Sequence, residues 1–131
     1  MREIKFRGKD IFSGKWLYGA YIPTEFTQWR EPSIFDGHHR AEVDCETLGQ
    51  YTGLMDCKER EIYEGDILTL DCNPEYFRFG EHDIVEWSSC GWRCRNPHYG
   101  RDMSLYDALC TDKLYVIGNI HDNPELLEET K

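Results

Sequence analysis

The sequence predicts a mainly antiparallel β protein of the α+β class, with one or two short helices. Two kinds of observation support this prediction. Short segments rich in aromatic and β-branched residues recur along the chain, several with apolar side chains at every second position, and turn-forming residues separate them. Helix signals are few. The clearest is Asn123-Pro124, where a good N-cap precedes a proline at the first helical position.

The N-terminal part is predicted to be a hairpin followed by a loop and a strand. Apolar residues alternate with charges in residues 3–7, and Trp16–Ile22 supplies a second β-prone run after a turn. Residues 23–40 have few periodic apolar positions, so we expect a long loop there with a short strand at Ser33–Phe35. Alternation returns over Val43–Leu54, which we predict to be a strand.

The remaining elements follow from turn and cap signals. Gly65-Asp66 interrupts two β-prone stretches, and a glycine is expected there because it alone takes a positive φ at little cost. The other predicted elements are a hairpin of residues 83–87 and 91–95, a helix over 103–110, a strand over 114–120 and a terminal helix over 124–130.

Composition limits the class of protein. The length, with 40% hydrophobic and 14% aromatic residues, predicts one folded domain over residues 1–131. Fifteen Lys and Arg against 25 Asp and Glu give a formal net charge of −10, which disfavours direct DNA or RNA binding. No apolar segment has the length of a membrane span or signal peptide, so we expect a cytoplasmic protein with reduced thiols and no membrane association.

Cys90, Cys94 and His98 are the candidate metal ligands, because they offer soft ligands within one short segment. Zinc knuckles usually have two residues between their cysteines, whereas three separate Cys90 from Cys94. We therefore favour buried or incidental cysteines over a structural zinc, and we expect no cofactor. Residues that could complete such a site are Cys72, His82 and Cys110.

Three other groups could carry chemistry, and we favour a structural interpretation of each. His38-His39 beside Asp36 could form a metal or acid/base cluster, but adjacent residues of an extended chain point to opposite faces. Glu64 and Asp66 flank a glycine, as expected in a turn. The second hairpin could carry a platform for stacking and cation–π contact. For such a platform a protein partner is favoured over DNA, but we favour packing within the hairpin over either binding role. Its residues are Trp87, Trp92, Arg93, Arg95 and Tyr99.

No catalytic residue is predicted. The sequence has no Gly-x-Ser-x-Gly nucleophile elbow, and its glycine spacing fits neither a Walker loop nor a dinucleotide fingerprint.

Three separated segments carry a resemblance to a known family. They are residues 2–7, residues 50–56 running into 61–67, and residues 116–127. In this order and at these separations they resemble the YopX family. The resemblance implies a phage or prophage origin, an α+β fold with a small barrel and a tendency to self-associate, and it implies no assigned activity. The family-motif residues, which we interpret as structural, are Gly53, Leu54, Tyr63, Glu64, Gly65, Asp66, Gly118, Asn119 and Pro124.

We expect a non-enzymatic interaction protein that forms a homo-oligomer. A second ground for self-association is the crowding of aromatic residues in the N-terminal hairpin and loop, where some should face outward. They are Trp16, Tyr18, Tyr21, Phe26 and Trp29. In the competing account the loop covers them and the protein is a monomer. The alternative functions are an acidic effector that imitates nucleic acid to occupy a basic host protein, and an enzyme with an unrecognised site.

Overall fold

The computed structural model describes residues 3–26, 28, 30–70, 82–89, 91–97, 100 and 102–127. The chain divides into two compact units, Met1–Gly53 and Leu54–Lys131. In the described part of the chain, no helix is long and apolar enough to cross a bilayer.

The first unit is built on an antiparallel sheet. Its strands are β1 (Phe6–Lys9), β2 (Trp16–Ile22), β3 (Ser33–Phe35), β4 (Arg40–Glu42) and β5 (Gly49–Met55), which runs on into the second unit. They lie in the order β4-β3-β2-β1-β5, so β1 has a neighbour on each side. Arg7 of β1 lies opposite Tyr18 on β2 and opposite Gly49 on β5.

The interior of the first unit is small. Ile34 and Val43 are buried almost completely. Gly8 packs so closely on Val43 that a Cβ at position 8 would lie 2.9 Å from the Val43 Cβ, so a side chain there would displace this contact. A 3₁₀ turn at Cys45–Thr47 leads into β5, and its Thr47 Oγ1 accepts a hydrogen bond from the Lys9 backbone N–H at 2.9 Å.

In its described residues, the second unit holds a five-stranded antiparallel sheet and one α-helix. Its elements are β6 (Glu61–Tyr63), β7 (Asp66–Leu70), β8 (His82–Ser88), β9 (Gly91–Arg95), β10 (Asp102–Ser104), α1 (Leu105–Thr111) and β11 (Leu114–Asn119). The strand order of this sheet is β10-β9-β8-β7-β11, and β6 is not part of it. The Ser104 hydroxyl begins α1 by accepting a hydrogen bond from the Asp107 N–H at 3.4 Å.

The core of the second unit lies on one face of its sheet. Val85 and Cys94 lie opposite each other on β8 and β9, and both are fully buried with Leu105 and Ala108 of α1. Because cross-strand partners project from the same face, α1 packs on the face that carries Val85 and Cys94. The other buried members of this cluster are Ile62, Leu68 and Leu114.

Asp56 organises the connection from β5 to β6. Its carboxylate accepts hydrogen bonds from the backbone N–H groups of Lys58 at 2.8 Å, Arg60 at 2.9 Å and Val116 at 2.9 Å. Asp56 is buried, so each of these bonds offsets the cost of removing the carboxylate from water.

Most of the predicted elements are confirmed. Both hairpins form, the short strand is present at Ser33–Phe35, and the helix lies at Leu105–Thr111. The apolar run near the end forms the strand Leu114–Asn119.

Three predictions need correction. No closed barrel is found among the described residues, where both sheets are open. The strand predicted over Val43–Leu54 starts only at Gly49, because the Asp44 side chain accepts from the Glu46 N–H and caps a 3₁₀ turn. The C-terminal helix is a single 3₁₀ turn at Pro124–Leu127, and residues 128–130 of the predicted helix lie outside the described part.

Candidate functional site

Only one of the three metal-ligand candidates lies within the described part of the chain. Cys90 and His98 lie outside it, whereas Cys94 is buried in the core of the second unit. Its thiol donates to a carboxylate oxygen of Asp83, with Sγ and Oδ2 3.2 Å apart. Among the described residues, no group of three or more His, Cys, Asp or Glu side chains could hold a metal ion.

The carboxylate of Asp36 binds backbone rather than the imidazoles of the neighbouring histidines. Its Oδ1 accepts the N–H of His39 at 2.7 Å and of His38 at 2.8 Å, which forms an exposed turn. These bonds, that of His39 first, lower the pKa of Asp36 below its ordinary value because they stabilise the ionised form. The cluster that the sequence suggested is thus a loop-capping arrangement.

The aromatic and arginine residues of the β8–β9 hairpin lie on opposite faces of the sheet. Trp87 and Trp92 are cross-strand partners whose rings meet edge to face, with centroids 4.9 Å apart. Arg93 and Arg95 alternate with Trp92 along β9 and therefore project from the other face. The sequence places these residues close together, but the strand separates the rings from the guanidinium groups.

Both arginines of β9 form ion pairs on their own face. Arg95 makes a two-pronged contact with Glu86, with Nε–Oε2 at 3.0 Å and Nη2–Oε1 at 2.8 Å, and the hydrogen bonding raises the pKa of its guanidinium. Arg93 Nε lies 2.9 Å from Asp102 Oδ1. The candidate stacking platform is therefore not assembled from the described residues, and Tyr99 lies outside them.

The middle family motif forms a tight turn between β6 and β7. Gly65 has φ +89°, as predicted, and the half-buried Glu64 precedes it in the turn. The Gly65 N–H donates to the Val85 carbonyl at 2.8 Å, and the Ile120 N–H donates to the Gly65 carbonyl at 2.9 Å. The buried Asp66 carboxylate accepts the Tyr63 N–H at 2.8 Å. Earlier in the motif, Gly53 also has a positive φ and Leu54 packs against the apolar cluster of this unit.

The C-terminal family motif forms a second turn. The Asn119 Oδ1 accepts the backbone N–H groups of His121 at 3.0 Å and Asp122 at 2.9 Å. Gly118 leaves room for the Asn123 side chain, because a Cβ at position 118 would overlap its amide oxygen. Pro124 then opens the 3₁₀ turn. In this geometry the motif residues hold backbone turns.

A different group of residues gathers on one face of the first sheet. Lys9 lies opposite Trp16, Arg7 opposite Tyr18, and Phe35 of β3 lies between Ala20 and Arg40 on its neighbouring strands. Because cross-strand partners and every second residue share a face, these side chains project from the same side of the sheet. We call the solvent-facing part of this side of the sheet the aromatic–basic face. It consists of Lys9, Trp16, Tyr18, Phe35 and Arg40.

Cations and rings are in contact on this side of the sheet. The Arg7 guanidinium carbon lies 4.6 Å from the centroid of the Trp16 ring, and the Lys9 ammonium lies 5.5 Å from it. Just before β1, the Lys5 ammonium lies 5.4 Å from the Tyr51 ring centroid. All three separations are in the range of cation–π attraction. Arg7 and Tyr51 are buried, so the part of this side that faces solvent is the aromatic–basic face.

Exposure distinguishes the members of the aromatic–basic face. Tyr18 is 45% exposed and Phe35 41%, Arg40 is exposed, and Lys9 and Trp16 are half-buried. Two carboxylates lie on the same side. They are Glu42, opposite Ser33, and Glu3, which is 3.3 Å from the Lys5 ammonium. The face therefore combines exposed rings with a local excess of positive charge.

Sequence reasoning missed this face although the chain contains a signal for it. Positions 5, 7 and 9 are all basic, a period of two that places three cations on one side of β1. By itself that alternation predicts only a strand with a charged, solvent-facing side. The rings that contact the cations come from β2 and β5, and that pairing is visible only in the fold.

The net charge is divided unequally between the units. Residues 1–53 contain seven Lys and Arg against eight Asp and Glu, a net charge of −1. Residues 54–131 contain eight against seventeen, a net charge of −9. Almost all of the −10 therefore belongs to the second unit, and the aromatic–basic face is in the nearly neutral one.

The fold and the surface define an antiparallel β protein with a candidate binding face on one of its sheets. Residues 5–128 match the model of the family described as YopX protein, and the chain belongs to that family. The fold is similar to the crystal structure of protein EF1440 from Enterococcus faecalis, with a TM-score of 0.66 and 24% sequence identity over 98% of this chain and 100% of that one. No curated protein matches the sequence.

Proposed function

We propose that this chain is a non-enzymatic interaction protein of a phage or prophage that works by self-association. The observation that best supports the proposal is Phe12, an aromatic side chain that is 89% exposed at the tip of the β1–β2 hairpin. Exposing a large apolar ring to water is unfavourable, and aromatic residues are enriched where proteins bind each other. Membership of the YopX family supports the phage context.

The turn that carries Phe12 is held by hydrogen bonds. The Asp10 carboxylate accepts the N–H groups of Phe12 at 2.8 Å and Ser13 at 3.2 Å, and the Gly14 N–H donates to the Asp10 carbonyl at 2.9 Å. Beside the ring, Ile11 is also exposed, and its N–H donates to the Glu42 carbonyl at 3.1 Å. Because the turn is already ordered, its apolar residues lose less conformational entropy on binding. Such residues are suited to anchor an interface.

Light scattering coupled to size exclusion tests this proposal. At tens of micromolar, we expect the wild-type chain to show a mass of at least twice 15.5 kDa. We expect Phe12→Ser to shift the population towards 15.5 kDa. Tyr106→Ser is the matched control, because it removes another exposed aromatic side chain, from α1 of the second unit. A wild-type mass of 15.5 kDa that does not change on concentration would contradict self-association.

The concentration of negative charge in the second unit favours one alternative, an acidic effector that imitates nucleic acid. Several of its carboxylates are engaged within the unit, which weakens that reading. They are Asp56 and Asp66 on backbone N–H groups, Asp83 on the Cys94 thiol, and Glu86 and Asp102 on arginines. A pull-down from nuclease-treated host lysate tests the alternative. Selective recovery of basic nucleic-acid-binding proteins would support it, and their absence would remove it.

A further inference from the structure

We infer that the aromatic–basic face of the first unit binds single-stranded nucleic acid. Proteins that bind single strands without strong sequence preference combine cations for the phosphates with aromatic rings on which bases stack. The described part of the first unit brings both kinds of group to one face of an open sheet. This inference uses other residues than the proposed self-association, which concerns the tip of the hairpin.

The rings are placed for stacking. Trp16 and Tyr18 are two residues apart on β2, which puts them on the same face about 7 Å from each other. Phe35 lies on the next strand, opposite Ala20, whose side chain is only a methyl group. Tyr18 and Phe35 expose enough ring surface to accept a base. Three rings on two neighbouring strands form a platform for two or three unpaired bases.

The cations surround that platform. Lys9 lies at the Trp16 end, and Arg40 lies across β3 and β4 beside Phe35. The buried Arg7 stacks on Trp16 at 4.6 Å and holds the ring in a fixed position before any ligand arrives. Lys9 and Arg40 are thus on either side of the rings, where a backbone that crosses the strands would place its phosphates.

The whole-chain charge of −10 argued against nucleic acid, but that charge belongs mainly to residues 54–131. In physiological salt the reach of an exposed charge is about 8 Å, so the groups that line a site decide the phosphate contacts. An acidic peptide could use the same cations but would not need exposed rings next to them. Bases in a duplex are stacked on one another and cannot reach the rings, which selects single strands.

Fluorescence anisotropy with the full chain and a labelled 12-nucleotide oligothymidine tests the inference. We expect binding at low salt that weakens steeply as salt rises. Tyr18→Ala and Phe35→Ala should each weaken it by about tenfold, the loss expected for one stacked base. Arg40→Gln should weaken it and also flatten the salt dependence, because it removes a phosphate contact.

Matched variants show whether a loss of affinity is specific to the aromatic–basic face. Tyr106→Ala removes an exposed ring from the second unit and should leave affinity unchanged, and circular dichroism confirms that each variant is folded. Phe12→Ser should also retain affinity, so failure of self-association is seen independently of this result. Absence of binding, or equal binding by a folded Tyr18→Ala, Phe35→Ala double variant, would overturn the inference. Competition by polyglutamate as strong as by unlabelled oligothymidine would overturn it in favour of an acidic protein partner.

Discussion

The two units of this chain use their charged residues in different ways. In the first unit, cations at alternate positions 5, 7 and 9 contact aromatic rings on one face of a sheet, and the net charge is −1. In the second unit, with a net charge of −9, buried carboxylates such as Asp56 and Asp66 hold backbone turns around an apolar cluster. The binding surface that we infer belongs to the first unit, and we call the second unit, with its packed apolar cluster, the scaffold.

The comparison also shows why the total charge alone does not decide what one face of the molecule can bind. A net charge of −10 describes the field far from the molecule. Recognition depends on the groups within a Debye length of the ligand. The local composition of a face can therefore be opposite in sign to that of the chain, and it becomes visible only when strand pairing is known.

The largest effect is expected in the scaffold. Leu105→Ala removes a fully buried side chain from the interface between α1 and the sheet and should cost about 3 kcal/mol of unfolding free energy. Urea denaturation measures it, and Leu109→Ala, at a partly buried position of the same helix, should cost less. If nucleic-acid binding belongs to the first unit alone, Leu105→Ala should still bind oligothymidine under conditions where it remains folded. Loss of binding by the folded variant would contradict the assignment of binding to the first unit.

An intermediate effect is expected in the sheet that carries the aromatic–basic face. Gly19 of β2 lies against β3 so closely that a Cβ would overlap the Phe35 carbonyl oxygen. Gly19→Ala should cost about 2 kcal/mol by forcing the two strands apart. Since Tyr18 and Phe35 lie on these strands, the affinity for oligothymidine should fall together with the free energy of unfolding. Gly37→Ala is the control, because its added methyl group meets nothing within 4 Å and only its positive φ is strained. Equal unfolding free energies for the two variants would contradict the close approach.

The smallest effect is expected at the family-motif turn of the second unit. Gly65→Val should cost at least about 1 kcal/mol, because a β-branched residue at φ +89° is forced into left-handed backbone. Gly65→Asn should cost less, since asparagine tolerates this region. The melting temperatures of the two variants and the wild type, measured by calorimetry, test this order of stability. A valine variant that melts with the wild type would show that the turn adapts without strain, and any loss of oligothymidine binding would place the motif in the binding function instead.

Local patterns were sufficient to predict much of the fold. Alternation and turn residues located both hairpins, and the strand at Ser33–Phe35 was predicted with its exact bounds. Gly65 was assigned its positive φ from the β-prone residues on either side. These features depend on neighbours in sequence, which explains why a single sequence was enough to find them.

Features that depend on distant residues could not be predicted in the same way. Asp56 binds the Val116 N–H, 60 residues farther along the chain, and nothing near Asp56 indicates this contact. The contact of Arg7 with Trp16 requires the register of β1 on β2. Trp92 and Arg93 are neighbours in sequence and were members of one candidate platform, but the alternation of the strand puts them on opposite faces.

Photochemical cross-linking to oligothymidine, followed by peptide mass spectrometry, tests the central claim most directly, because it identifies the ring on which a base stacks. The account predicts adducts on Trp16, Tyr18 or Phe35, reduced as salt rises and lost on competition with unlabelled oligonucleotide. Adducts confined to Trp87 or Tyr106, two exposed rings in the described part of the second unit, would contradict it and move the binding surface to the scaffold.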